Sequence, residues 1–221
     1  VLREDEGRGG SKLLHRIFAK GRKIFISKPI NHFPLAIGKK HFLMGGGIGI
    51  TPMIAFAHEC FTNSIDFEFH YSFSTRSDAG FLDDLKTFPW ADKVNLHISD
   101  EGTRANLDEL LNGYQEGWHV YTCGPERYMN SVMESAERQG FPEGARHLEY
   151  FSVPELPEYE NHEFSIKLKR SNREFLIPPD KTITDVFLEN GIHVDVKCSE
   201  GICGVCSCNL ISGDVEHRDF V

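Results

Sequence analysis

An alternation of strand-like and helix-like stretches between residues 41 and 150 limits the fold more than any other feature of the chain. His41-Phe42-Leu43-Met44 reads as a short buried strand, and Pro52 to Phe61 follows as a helix with proline in its first turn. Ile65 to Phe73 alternates apolar and polar residues, and Gly80 to Phe88 reads as a second helix. Val94 to Ile98 is a third strand, after which Leu107, Leu110 and Leu111 mark a short helix by their three-and-four spacing. Trp118 to Cys123 forms a fourth strand, Pro125 to Gln139 a helix closed by Gly140, and His147 to Phe151 a fifth strand. Parallel neighbours need crossover connections, and short crossovers are helices. Residues 39–151 are therefore expected to form a doubly wound α/β domain.

On either side of this unit the pattern changes. Residues 152–161 are acidic and rich in proline, with no apolar period, and read as a linker. Beyond them, Phe164 to Leu168 and Glu174 to Ile177 alternate as strands around the polar turn Ser171-Asn172, and Thr182 to Asn190 is a helix stopped by Gly191. An apolar alternation from Val205 to Ile211 reads as a further strand of this second, α+β domain, residues 162–221. Residues 1–38 offer only an amphipathic stretch at Lys12 to Phe18 and a strand at Lys23 to Ser27. So few residues seldom make a core of their own, and the segment reads as the tail of a domain begun elsewhere.

Chemistry concentrates in the second domain, where Cys198, Cys203 and Cys206 have the spacing C-x4-C-x2-C. This is the loop of a plant-type [2Fe–2S] centre, with three of its four thiolates present before the chain stops at Val221. Gly201 and Gly204 suit such a loop, because glycine takes positive φ and lets backbone amides approach the sulfurs. A four-cysteine zinc site recruiting Cys208 is the competing reading, although zinc ligands usually come as two separated pairs. A Rieske centre is excluded, since it requires Cys-x-His pairs and none occurs.

In the first domain, Gly45-Gly46-Gly47-Ile48-Gly49-Ile50-Thr51-Pro52 joins the first strand to the first helix. Backbone amides and the positive end of a helix dipole can hold a pyrophosphate there, although a tight structural turn is the plainer alternative. Cys123-Gly124-Pro125 closes the fourth strand, and Arg76-Ser77 follows the second. Open α/β sheets bind ligands at these carboxyl ends. Near the N-terminus Gly7-Arg8-Gly9-Gly10-Ser11 precedes the amphipathic stretch and can bind a phosphate in the same way.

Together these segments resemble the phthalate dioxygenase reductase family of the ferredoxin–NADP reductase superfamily, whose order is flavin barrel, NAD domain and C-terminal ferredoxin. The resemblance implies the tail of a flavin-binding β-barrel in residues 1–38 and a β-grasp fold for the ferredoxin domain. It implies that Gly46, Gly47, Gly49, Thr51 and Pro52 meet the pyrophosphate, that Arg76 and Ser77 meet the adenosine ribose, and that Cys123, Gly124 and Pro125 line the nicotinamide pocket. Cys123 and Thr51 are thereby placed nearest the hydride transfer. Gly9, Gly10 and Ser11 match the segment that holds the FMN phosphate, and Glu149 and Phe151 match its flavin-facing Glu-x-Phe. The family's upstream Arg-x-Tyr-Ser segment and fourth cluster cysteine have no counterpart, so the chain reads as a piece truncated at both ends.

What the resemblance implies for activity is a route from NADH, or NADPH, through FMN to the [2Fe–2S] cluster and on to a terminal oxygenase. Two readings compete with it: a flavin reductase with a vestigial ferredoxin domain, and a non-catalytic zinc-binding module that senses nucleotide. The formal charge of −9 argues against nucleic acid and anionic membranes as partners and suits a basic docking patch on another protein. Six cysteines with four of them clustered, and no run of eighteen apolar residues, read as a cytoplasmic protein with a metal site.

Overall fold

The computed structural model describes residues 9–26, 28–29, 31–151 and 159–219. The chain divides after Asn31 into two units. In the first, α1 (Gly10–Ile17) is amphipathic, as its sequence predicts, but buries none of its residues. The strand expected over Lys23 to Ser27 does not form at residues 23–26, where Phe25 and Ile26 lie exposed. A strand needs a ladder partner, and no neighbouring strand is present among the described residues of this unit.

The second unit is built on five parallel strands: β1 (Lys40–Gly46), β2 (Asp66–Phe73), β3 (Val94–Ile98), β4 (Trp118–Cys123) and β5 (Arg146–Glu149). Their order is β3-β2-β1-β4-β5, which doubles the sheet back from its first strand and puts helices on both faces. On one face α2 (Ile50–Thr62) buries Ile50, Met53, Phe56, Ala57 and Cys60 against the aromatic row of β2. That row is Phe67, Phe69, Tyr71 and Phe73, the period-2 apolar set that the sequence announced. On the other face α5 (Glu126–Arg138) seats Val132 and Ala136 over Phe42, Met44 and Val120. Each of the larger apolar side chains among these contributes about 1.5–3 kcal/mol on burial.

Several expected boundaries move. β1 continues through Gly45 and Gly46, which still pair with Tyr71 and Ser72 of β2, so the glycine turn begins inside the strand. The helix expected over Gly80 to Phe88 contracts to α3 (Leu82–Leu85), because Phe81 takes a left-handed φ of 64° and Phe88 is drawn to Trp90, with ring centroids 4.9 Å apart. Only Leu107–Leu110, α4, is helical in the next connection. β5 ends at Glu149, where its pairing with Cys123 of β4 stops, and leaves Phe151 outside the ladder.

At the amino end of the sheet a histidine row crosses three strands. His119 and His147 approach to 3.0 Å between Nδ1 and Nε2, and the His41 ring lies 5.5 Å from that of His119. His41 is fully buried, and neither of its ring nitrogens has a hydrogen-bond partner. Residues 32–38, expected within the flavin-barrel tail, lie over this region of the sheet. The Ala36 amide donates to the Tyr121 hydroxyl at 2.7 Å, and the Phe33 ring sits 5.1 Å from Phe56.

After residues 152–158, where most of the expected linker falls outside the described residues, β6 (Phe164–Lys167) and β7 (Glu174–Ile177) form an antiparallel hairpin. Asn172 turns it with a φ of 53°, a conformation asparagine tolerates better than most residues. α6 (Ile183–Glu189) begins with a capping box: the Asp185 amide donates to Thr182 Oγ1, and the Thr182 amide donates to Asp185 Oδ2. Phe175, Ile177 and Val186 make a separate small core. No strand forms over residues 205–211, which belong to neither sheet among the described residues.

Candidate functional site

Gly47–Gly49 make one turn of 3-10 helix between β1 and α2, and this turn lies against the one that follows β4. The approach is too close for side chains. A Cβ on Gly49 would lie 2.0 Å from the Cys123 carbonyl oxygen, one on Gly124 would lie 2.7 Å from that of Gly46, and one on Gly46 would meet the Tyr128 ring at 2.7 Å. Gly47 differs, having a φ of +52° and open space where its Cβ would be. Gly49 and Gly124 thus serve the approach of two backbones, Gly46 makes room for the Tyr128 ring, and Gly47 serves backbone conformation. The open ground lies at the N-terminus of α2, which has no side-chain cap, so amides and helix dipole fit an anionic group such as a pyrophosphate. Thr51 Oγ1 donates to the Ile48 carbonyl at 3.1 Å, which leaves its lone pairs available. Pro52 occupies the first turn of α2 without loss, since that amide has no helical partner.

Cys123 ends β4 fully buried, and its thiol is pushed up to about 12 by burial and, next, by Glu149. It therefore stays protonated and presents bulk rather than acid–base chemistry. Gly124 follows with a φ of 150°, and Pro125 caps α5 without a side-chain hydrogen bond. Glu149 faces Cys123 across the β4–β5 ladder. Burial raises its carboxyl, while the charges of His32 and Lys197 pull it the other way. Phe151, two residues on, is half exposed.

At the carboxyl ends of β2 and β3, two short turns face each other. The first, Thr75 to Asp78, is tied by the Asp78 amide donating to the Thr75 carbonyl at 3.1 Å and by Thr75 Oγ1 bonding Asp78 Oδ2 at 2.8 Å and Ser77 Oγ at 2.7 Å. The second carries Asp100 and Glu101. Arg76 grips Glu101 with both branches of its fork, Nε to Oε1 at 2.6 Å and one terminal nitrogen to Oε2 at 3.0 Å. Hydrogen bonding and charge from Glu101 raise the guanidinium, and Arg76 lowers the Glu101 carboxyl in return. Beside Arg76 opens a cavity of about 440 Å³ whose walls include Leu82, Leu85, Val94 and Leu96.

The cysteine loop winds through three left-handed residues, Ser199, Gly201 and Gly204. The Glu200 amide donates to Cys198 Sγ at 3.3 Å. Desolvation is the largest single influence and raises the Cys198 thiol, but the amides of Ile202, Glu200 and Cys203 and the Cys203 side chain together outweigh it and draw it down to about 7. Amides that converge on a sulfur stabilise thiolate, which is the state an iron–sulfur cluster requires of its ligands, so this donor set fits the group. Cys203 is half-buried and Cys206 exposed, and no three His, Cys, Asp or Glu side chains among the described residues gather at one metal-holding point. In the N-terminal unit, Gly9 caps α1 with a φ of 84° and no side-chain hydrogen bond, so the amides at Gly10 and Ser11 fit a phosphate.

The fold thus brings Gly46, Gly49, Cys123 and Gly124 into one contact and leaves the three cysteines as a loop rather than a closed cage. Sequence reasoning missed Glu101. Its signal was an acidic pair directly after the third strand, at the edge where open sheets bind ligands. It also missed Tyr128, whose partly buried ring is the reason Gly46 cannot carry a side chain.

Comparison with known proteins bears on both sites. Residues 166–221 match the family described as 2Fe-2S iron-sulfur cluster binding domain. The chain is 35% identical to vanillate O-demethylase oxidoreductase of Pseudomonas sp. (strain HR199 / DSM 7063), over 100% of this chain and 70% of that protein. It is 37% identical to the carnitine monooxygenase reductase subunit of Escherichia coli (strain K12), over 99% of this chain and 68% of that one. Among solved structures it matches phthalate dioxygenase reductase with a TM-score of 0.71 at 32% identity, over 100% of this chain and 70% of that one. It also matches an intact type IV self-sufficient cytochrome P450 monooxygenase with a TM-score of 0.85 at 35% identity, over 100% of this chain but 29% of the larger protein.

A parallel nucleotide sheet followed by a [2Fe–2S] domain defines an oxidoreductase of the electron-transfer class. The chain belongs to the phthalate dioxygenase reductase family, and its relatives include reductase subunits of oxygenase systems. The expected fold class, a doubly wound sheet joined to a ferredoxin domain, is borne out.

Proposed function

We propose that this chain works as the nucleotide-binding and iron–sulfur portion of an oxygenase reductase, with residues 39–151 receiving NADH and residues 162–221 delivering electrons to a terminal oxygenase. Residues 1–38 complete a flavin-binding barrel, their last seven lying along the sheet as a strap. NADH surrenders two electrons as a hydride and a [2Fe–2S] centre takes one at a time, so FMN between them supplies the conversion.

The observation that carries this reading is the packing of two turns at one end of the sheet. Gly49 lies against the Cys123 backbone and Gly124 against that of Gly46 with no room for a Cβ on either, which joins a phosphate-type helix start to the carboxyl end of β4. Amides of Gly46, Gly47 and Gly49 would hold the pyrophosphate, with Thr51 accepting or donating at its edge and Pro52 fixing the start of α2. Arg76 and Ser77 would meet the adenosine ribose. Cys123, Gly124 and Pro125 would form the floor of the nicotinamide pocket, and the protonated thiol keeps water and charge away from the transfer. Glu149 and Phe151 would close the pocket at the end of β5. Gly9, Gly10 and Ser11 would hold the FMN phosphate, and Cys198, Cys203 and Cys206 would supply three cluster thiolates.

The acidic surface suits a basic docking face on the oxygenase, and no helix among the described residues is long and apolar enough to cross a membrane. We place the protein in the cytoplasm, where free thiols stay reduced. In the complete protein, NADH added without oxygen should bleach both flavin and iron–sulfur absorbance. A protein that remains colourless after flavin addition and iron–sulfur reconstitution, or holds one zinc and no sulfide, defeats the proposal.

A further inference from the structure

We infer that Glu101 makes this chain select NADH over NADPH, by occupying the guanidinium that a 2′-phosphate would need. The inference rests on the reading of residues 39–151 as a nucleotide domain and adds a discriminating residue to it. An arginine after the second strand is, taken alone, a natural clamp for a 2′-phosphate. Here the clamp is already engaged: Arg76 Nε and one terminal nitrogen bind the two Glu101 oxygens at 2.6 and 3.0 Å. A guanidinium bound in this way has spent its Nε edge, one of the edges that can recognise a phosphate bidentately.

Both partners are held in place by backbone. The ladder of β2 and β3 continues past its last residue pair, with the Ser99 amide donating to the Phe73 carbonyl at 3.1 Å and the Asp100 amide donating to the Ser74 carbonyl at 3.2 Å. Thr103 then closes the turn: its amide reaches the Ile98 carbonyl at 3.1 Å, and its hydroxyl accepts from the Ile98 amide at 2.8 Å. Glu101 therefore sits on a pinned turn, opposite the equally tied Thr75–Asp78 turn that carries Arg76.

Charge points the same way. The charge of Asp100 acts on Arg76 together with that of Glu101, so two carboxylates act on one cation. A ribose 2′-hydroxyl can donate to the Glu101 carboxylate, whereas a 2′-phosphate would meet like charge and a guanidinium whose Nε edge is already taken.

The test is a binding ratio. Titrate the complete reductase with NAD⁺ and with NADP⁺, oxidised forms that undergo no transfer, and compare wild type with Glu101→Gln and with Glu101→Gln/Arg76→Ala. The wild-type chain should bind NAD⁺ at least about tenfold more tightly, a difference of the size one unfavourable charge contact produces. Glu101→Gln should shrink that preference about tenfold by strengthening NADP⁺, and removal of Arg76 in the same background should cancel the gain. Because the readout is a ratio within each variant, a general loss of binding does not imitate it. A ratio unmoved by Glu101→Gln, or wild type that prefers NADP⁺, overturns the inference while leaving the nucleotide domain intact. Absence of any binding to wild type, with the fold retained by circular dichroism, overturns both.

Discussion

Cysteine takes two chemical forms in this chain, decided by where the backbone puts each thiol. Cys60 and Cys123 are fully buried and pushed up to about 12, chiefly by burial. Cys198 and Cys203 are half-buried, and Cys206 and Cys208 are exposed. Iodoacetamide applied to the cluster-free chain at neutral pH should therefore modify the four cysteines from 198 to 208 and spare Cys60 and Cys123 until denaturant is added. Peptide mass spectrometry reads this directly, and native modification of Cys123 would mean that the carboxyl end of β4 opens. Sequence alone marked Cys123 by its Gly-Pro neighbours but said nothing about its protonation, because burial comes from residues remote in the chain. Glu101 shows the same gap from the other side. Its partner Arg76 lies 25 positions away, and only the parallel pairing of β2 with β3 sets their turns face to face.

The elements most readable from sequence were those whose pattern needs no distant partner to interpret. The aromatic alternation of β2 and the long apolar face of α2 both appear where expected. The glycine turn was readable as a turn, but its division of labour was not, and substitutions separate the two roles. Gly49→Ala drives a methyl into backbone at Cys123 and should cost about 3 kcal/mol, enough to lower the midpoint of thermal unfolding by several degrees. Gly47→Ala meets open space and should cost only about 1–2 kcal/mol, the penalty of a left-handed residue with a Cβ. Equal losses at the two positions in calorimetry would refute this division. In the ferredoxin part, Thr182→Ala removes the hydroxyl that caps α6 and should lower stability by about 1 kcal/mol in a denaturant titration. The segments at 23–27 and 205–211 carry strand-like alternation yet form no strand among the described residues, because alternation supplies a face and not a neighbour. Helical spacing over Gly80 to Phe88 misleads for a related reason: its aromatic residues answer to the Trp90 cluster rather than to a helix axis.

At the scale of the molecule, the histidine row under the strap ties stability to pH. Burial and like charge from the other two histidines depress His41 to about 4, and burial with His119 depresses His147 to about 4. Each unfolded histidine titrates at its ordinary value of about 6.5, so between pH 6.5 and 4 the unfolded chain binds more protons than the folded one. Stability from these groups is therefore complete above pH 6.5 and is lost as pH falls toward 4. The nucleotide domain should melt about 5 °C lower at pH 5 than at pH 7, and His41→Phe, which removes an unpartnered buried titrating ring, should flatten that slope. Scanning calorimetry across that range checks both, and a slope unchanged in His41→Phe would mean that other groups set the acid limit. Taken alone, the sequence determined the doubly wound sheet, the phosphate-type turn and the iron–sulfur loop, because periodicity, glycine and cysteine spacing act over a few neighbouring residues. Only the tertiary structure decided which glycines must lack a side chain, that the Cys123 thiol is buried and protonated, and that Arg76 is already bound to Glu101. Those depend on strands brought side by side from distant parts of the chain, and contact and burial exist only after they meet.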